Sequence, residues 1–333
     1  MVDYLGVGRY HWAMINSGNN SEKLPEGGLL QSARWTAFLH AKGQETFDVR
    51  GGALFGVVQT LQFVGRYGYM ARVPQGVIKE LIGAVRSVSQ DLRLGWVRAD
   101  FSSMDDVKLL RELDCYVVKA PHDTQPESNL IMDISAPEEE LLLSMKQKTR
   151  YNIRMALKKG VRVKAYRFGD QEFERYLKVF FQLVQETAVR KGVRFHTYDH
   201  YGLMFAVLPP ENIALYVGKF DEDIVAINIV SYYKETATYL HGAFGGAHSS
   251  MGVPFLLQWQ AIFDARSEGY KYYDFGGFFP QTSDKGKAGI TRFKKGFAPK
   301  TPPTETAGSW DIVFSPLRYK MYRALQRCKR FFG

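Results

Sequence analysis

The chain has 333 residues, long enough for two domains with full-sized cores, and its 45% hydrophobic and 23% charged residues are those of an ordinary globular protein. No apolar run approaches the roughly 18 residues of a spanning helix, and Cys115 and Cys328 lie far apart without CxxC spacing, which excludes a disulfide scaffold and points to a reducing compartment. The net charge of +10, from 44 basic and 34 acidic residues, selects anionic partners if the excess is localised.

The opening MVDYLGVGRYHWAM lacks a charged region followed by an apolar stretch, so a cytoplasmic protein without a membrane span is expected. After GGLLQSARWTAF comes ETFDVRGGALFGVVQTLQFVGRYGYMARVPQGVIKELIGAV, whose alternation and turn residues predict strand, Gly-Gly turn, strand, turn, strand and helix, with WVRAD as a further strand. Asp100 ends that strand, where side chains of an α/β sheet commonly meet a ligand cleft; it is a candidate base, with a helix cap or turn former as the alternative. SAPEEELLL then opens a helix with Ser135, Pro137 and a run of glutamates.

Eight basic residues and no acidic ones follow in MKQKTRYNIRMALKKGVRVK. Ser144 with Gln147 reads as a capping box, Gly160 as a stop, and Met145, Thr149, Ile153 and Ala156/Leu157 as a buried face. On that helix Lys146, Arg150, Arg154 and Lys158 fall at i, i+4, i+8 and i+12, one stripe of cations suited to a polyphosphate backbone. A solvated face usually mixes signs; this one does not.

Past LVQETAVRKGVRFHTYDHY the strand, strand, strand, helix, strand order recurs from NIALYVGKF to YKYYDFGG. Two similar α/β domains are therefore expected, residues 1–144 with 299–333 and residues 145–298, joined near 135–145. GITRFKKGFAPK suggests an exposed turn leading into a strand or short helix. APKTPPTETAG reads as a linker to a terminal helix. In that helix, PLRYKMYRALQRCKRFFG, which holds six cations and no acid, Leu317, Met321, Leu325, Cys328 and Phe332 line a face opposite Arg318, Lys320, Arg323, Arg327 and Arg330, so contact with an anionic membrane surface is expected. There is no GxSxG, HExxH, P-loop or close Cys/His pairing, and neither a metal nor a cofactor is expected.

The duplicated order resembles the GNAT acetyltransferase fold: two tandem domains, each a mixed sheet flanked by helices, with the C-terminal helix returning to the first. MKQKTRYNIRMALKKGVRV, YDFGG at 273–277, GITRFKKGFAPK at 289–300 and the early GGLLQSARWTAF are similar in order and spacing to signature stretches of the Fem-type (FemABX) peptidyltransferases. The compact form is implied, without the coiled-coil insertion. The resemblance implies an aminoacyltransferase using aminoacyl-tRNA as donor and a peptidoglycan precursor, lipid II or UDP-MurNAc-pentapeptide, as acceptor. The family lysine maps onto Lys294, implying a role at the tRNA acceptor end or at the charge formed on the ester carbonyl. Lys295 joins the tRNA-binding set with Lys146, Arg150, Arg154 and Lys158. The family also carries an acidic residue at the place of Asp100.

The chain departs from its relatives at the diphosphate clamp: Leu39 stands near the first clamp position, with Lys42 the nearest cation, and His196 near the second, beside Arg194. Lys42, Arg194, His196, Tyr201, Tyr239 and Phe255 are the acceptor-side candidates, with core packing the alternative for the aromatic ones. Two rival readings stay open, an acyl-CoA-dependent N-acyltransferase and a non-catalytic RNA- or membrane-binding protein. GGAHSSMGVPF is Gly-rich but lacks the spacing of a pyrophosphate cradle.

Overall fold

The computed structural model describes residues 28–191, 195–245 and 250–332. After a 3-10 turn (Leu29–Gln31) come α1 (Ala33–Ala41), β1 (Thr46–Val49), β2 (Leu54–Leu61), β3 (Gly65–Val73), α2 (Ile78–Asp91), β4 (Leu94–Phe101), α3 (Met104–Glu112), β5 (Val117–Lys119) and β6 (Ser128–Asp133). The middle of the chain holds α4 (Glu138–Ser144), α5 (Gln147–Lys158), β7 (Arg162–Tyr166), α6 (Phe173–Lys191) and α7 (Tyr198–Val207). The second repeat follows as β8 (Ile213–Phe220), β9 (Asp223–Tyr233), β10 (Thr236–Phe244), α8 (Val253–Ser267) and β11 (Tyr272–Gly277). The chain closes with α9 (Lys285–Phe297), β12 (Thr304–Glu305), β13 (Gly308–Val313) and α10 (Pro316–Phe332).

Both repeats form as their alternation predicts. β1, β2 and β3 make an antiparallel meander, α2 crosses over, and β4 returns parallel to β3; β8, β9, β10, α8 and β11 do the same, with β11 parallel to β10. The two sheets then exchange strands. One has the order β1-β2-β3-β4-β13-β5 and the other β12-β6-β11-β10-β9-β8-β7. The chain thus passes from the first sheet to the second between β5 and β6, in residues 120–127, and back between β12 and β13. The crossing lies ahead of the junction expected near 135–145. β6 pairs there with the edge of β11, which sends Leu130 and Met132 into the core beneath the second sheet. The segment read as a linker also supplies β12, with Thr304 opposite Asn129.

The second sheet is covered on both faces, and its central strands β8 and β9 are accordingly buried and mostly apolar along most of their length. Along β8, Ala214 and Tyr216 face α5 and α8, whereas Ile213, Leu215 and Val217 face α6 and α7. Helix α1, expected in the first domain, buries Phe38 among Tyr201, Phe205 and Phe180 of this second core, because that is where an apolar cavity accepts its ring. Gln31 ties the same segment to the first sheet. Beyond the Val57/Tyr69 pair β2 and β3 part, and the Gln31 amide accepts from Phe55 N (2.8 Å) and donates to the carbonyls of Phe55 (3.1 Å) and Ala71 (2.5 Å).

Helix α10 does return to the first sheet, through its aromatic side. Tyr319 and Tyr322 pack on the buried Trp96. Asp311 accepts from Arg98 Nε (2.8 Å), Arg98 Nη2 (2.9 Å) and Tyr319 Oη (2.8 Å) in a fully buried cluster.

Candidate active site

The YDFGG segment of β11 carries an irregularity between Asp274 and Gly277. Gly276 sits there at φ 71°, and its N–H donates to Asp274 Oδ1 at 2.7 Å. A Cβ at this position would strain the backbone and lie 3.9 Å from Lys294 Nζ, so glycine keeps the Asp274 turn closed. The other carboxylate oxygen accepts from Asn129 Nδ2 of β6 (2.9 Å), whose Oδ1 in turn accepts from Arg72 Nη2 of β3 (2.9 Å). A polar chain therefore runs from the second sheet into the first. Neither Asp274, Asn129 nor Arg72 was picked out from the sequence; Asp274 stood inside the motif YDFGG without a role.

Lys294 is not in an exposed turn. It lies in the last turn of α9, 7% exposed, and Nζ donates to Gly277 O at 2.6 Å and faces the Tyr239 ring at 6.0 Å. The helix forms despite Gly286 and Gly289 because Phe293 and Phe297 pack on Phe255 and the Thr291 hydroxyl pairs with the backbone of Phe279. Burial pulls the Lys294 ammonium down to about 8, with the Asp274 carboxylate opposing the shift. Burial likewise raises Asp274 above the usual carboxylate range, opposed by its donors Gly276 N–H and Asn129 and by the positive charges of Arg72 and Lys294.

Asp100 lies near the end of β4, 4% exposed, with both oxygens occupied. The Ser309 hydroxyl donates to Oδ1, and Tyr69 Oη donates to Oδ2 at 2.6 Å; Gln125 Nε2 donates to the same tyrosine oxygen at 3.3 Å. Burial raises Asp100, and the Arg72 guanidinium lies within electrostatic reach of both Asp100 and Tyr69. Gln125 stands in the wall of a cleft of about 810 Å³ lined by residues 123–128, Phe278–Thr282, Lys287, Glu305 and Thr306. The carbonyl that holds Lys294 belongs to Gly277, next to that lining. The two chemical candidates thus approach one cleft from the two sheets, Asp100 through Tyr69 and Gln125.

The basic helix differs from its expected start. Ser144 is the last residue of α4, its hydroxyl donates back to Leu141 O (2.7 Å), and no capping box forms. Met145 is buried, and Lys146 is the N-cap of α5, its backbone N–H donating to Gly296 O at 2.9 Å. Thr149, Ile153 and Ala156 form the buried face and Gly160 takes φ 83° at the C-terminal end, both as expected; Leu157 is instead exposed. Lys146, Arg154 and Lys158 are exposed. Arg150 is not a free cation: its guanidinium donates to the carbonyls of Leu143 (3.2 Å) and Met145, closing the end of α4. Lys295 is half-buried and donates to Thr301 O at 2.6 Å.

Among the acceptor-side candidates, Arg194 lies outside the described residues. Lys42 is exposed at the C-cap of α1, within electrostatic reach of His196, which stacks on His200 with ring centroids 3.8 Å apart. Burial and the neighbouring cations hold His200 at about 3, so this imidazole is neutral at physiological pH. Tyr201 is wholly buried between Phe180 and the histidine rings, a core position. Phe255 packs on Phe293 and Phe297, which fixes α9 and therefore Lys294; Tyr239 lies under the ammonium. Among the described residues no group of acidic, histidine or cysteine side chains has the geometry of a metal site, and no helix is long and apolar enough to cross a membrane.

Residues 147–295 match the family model of the acetyltransferase (GNAT) domain. No curated protein sequence matches the chain. Among solved structures, FemX superposes with a TM-score of 0.76 at 17% identity over 90% of this chain and 95% of its own. The C-terminal DUF2156 domain of an Agrobacterium fabrum protein described as a lysylphosphatidylglycerol synthetase gives 0.58 at 14% identity, covering 84% of this chain and 87% of its own. L-PGS from Bacillus licheniformis gives 0.54 at 13% identity, covering 93% and 99%. The protein is a mixed α/β chain built from two GNAT-like units, with the overall fold of FemX.

Proposed function

We propose that the protein is an aminoacyltransferase that moves an amino acid from aminoacyl-tRNA to the stem peptide of a peptidoglycan precursor, lipid II or UDP-MurNAc-pentapeptide, in interpeptide bridge formation at the inner face of the cell membrane. The observation that carries this reading is the junction of α5 with α9. The exposed cations of α5 begin at Lys146, whose N–H is bonded to Gly296, two residues from the buried Lys294. A polyphosphate backbone laid along Lys146, Arg154 and Lys158 ends beside that ammonium. The fold shared with FemX supports the same reading.

An aminoacyl ester is already activated, so its aminolysis needs positioning, a neutral amine and stabilisation of the carbonyl oxyanion. Lys294 supplies the third. Held at about 8 it remains mostly cationic at neutral pH, and its poor solvation favours a developing negative charge. Tyr69 and Asp100 serve the second: the tyrosine oxygen accepts the amine proton as its own passes to Asp100, a carboxylate whose burial makes it a better proton acceptor than usual. The new amide C–N bond forms, the ester C–O bond breaks, and the leaving ribose oxygen takes up a proton. Lys42 and His196 remain as polar groups for an anionic part of the acceptor.

The test is incubation with a total aminoacyl-tRNA pool and each precursor, followed by mass analysis. A precursor heavier by one aminoacyl residue is expected. Acylation from acyl-CoA, or tRNA binding without transfer to either precursor, refutes the reading in favour of the corresponding rival.

A further inference from the structure

Among its described residues helix α10 has two apolar faces, of which the fold buries one. Its inner face is taken up by Tyr319 and Tyr322, 5% and 4% exposed, and by Arg318, whose guanidinium donates to the carbonyls of Val64 (2.9 Å), Arg93 (2.8 Å) and Arg66 (3.0 Å). The outer face presents Leu317, Met321 and Leu325, respectively 71%, 42% and 44% exposed, with Cys328 exposed one turn further on. A helix that only solvates a domain carries polar residues along this stripe.

A second exposed apolar group stands nearby. Phe63, 82% exposed, occupies the β2–β3 turn at φ 67°, in the left-handed region that bulky side chains avoid. The turn lies against the first turn of α10, since Val64 O is the acceptor of Arg318 Nε. Beside the apolar stripe Lys320 and Arg327 are exposed, and Arg323, Arg327 and His122 line a cavity of about 280 Å³. Residues 316–333 hold six cations and no acid.

We propose that this face of α10, together with Phe63, is a docking surface for an anionic lipid bilayer. Charge decides between the occupants an apolar stripe admits. A second copy of the chain would set Lys320 and Arg327 against the same two cations, whereas an anionic headgroup layer neutralises them while its acyl boundary receives the leucines, Met321 and Phe63. The helix would lie in the plane of the interface without crossing it. The surface refines the membrane-side location proposed above. Vesicle binding is read without turnover, so its failure leaves the transfer chemistry standing and a failure of the chemistry leaves it untouched.

Co-sedimentation of the full chain with vesicles of phosphatidylglycerol and phosphatidylcholine, against phosphatidylcholine alone, tests this. Binding to the anionic vesicles that weakens with salt is expected, with little to the neutral ones. Lys320→Gln with Arg327→Gln should weaken it roughly 25-fold, about fivefold per cation. Leu317→Ser with Met321→Ser and Leu325→Ser should weaken it at least about tenfold at unchanged melting temperature, because these side chains lie outside the core. Should the triple variant melt lower, Phe63→Ser and Leu317→Ser are compared singly. No binding to anionic vesicles, or equal binding by the folded variants, overturns the proposal. So does a dimer of the intact chain that the serine variants dissolve, which would assign the stripe to a second copy.

Discussion

Replacing Lys294 by methionine should move stability and activity in opposite directions. The ammonium is 7% exposed and its pKa falls from the ordinary 10.5 to about 8, so the folded state disfavours the charged form by about 3 kcal/mol at neutral pH. The sign follows from proton binding: below pH 8 both states hold the proton and the full cost is present. Between about 8 and 10.5 the unfolded chain binds more protons than the folded one, so folding becomes relatively more favourable as pH rises. Methionine removes this cost, which already includes the attraction of Asp274, but leaves Gly277 O without its donor, which returns roughly 1–2 kcal/mol. Lys294→Met should therefore be about 1–2 kcal/mol more stable than the parent in urea unfolding at pH 7, and the advantage should disappear by pH 10.5. Transfer should fall roughly 10²–10³-fold, with a much smaller loss for Lys295→Met. A Lys294→Met that is less stable at pH 7, with a deficit that shrinks as pH rises, would show a structural ion pair with Asp274, and transfer unchanged by the substitution would refute the oxyanion role.

Asp274→Asn removes the charge that holds the Lys294 pKa up, so the alkaline limb of the pH–rate profile should move to lower pH; an unmoved limb would separate Asp274 from the site. Arg154→Gln with Lys158→Gln should lower the slope of log K for tRNA against log salt by roughly 1–2 with little change in melting, whereas Arg150→Gln should cost about 1 kcal/mol of stability because its guanidinium closes α4. Equal salt slopes for the double variant and the parent would remove tRNA from the stripe. Asp311→Ala strands the buried Arg98 and should cost roughly 3–5 kcal/mol in urea unfolding; a loss under about 1 kcal/mol would mean that water replaces the carboxylate.

The two meanders were legible because their cause is local. Alternation along ETFDV, LFGVVQTL and IALYVGKF decides which side chains share a face, and the intervening turn residues decide where each strand ends. The buried face of α5 and its stop at Gly160 follow from spacing in the same way. Asp100 came from its place at a strand end and the role of Lys294 from the family resemblance, and nothing in their neighbourhood in the sequence announces burial.

Where partners far apart in the chain compete, the tertiary structure decided. Alternation says that Leu130 and Met132 of β6 are buried, but the same pattern fits either sheet, and only the free edge of β11 settles it. Ser144 and Gln147 spell a cap, yet the Lys146 N–H finds Gly296 O once α9 is in place and the Ser144 hydroxyl turns back to Leu141 O, so the helix starts at Lys146. Along α10 the sequence offers an aliphatic stripe and an aromatic one. The fold buries the aromatic one because Trp96 receives the rings and the Asp311–Arg98 pair needs their hydroxyls, which leucine or methionine cannot provide.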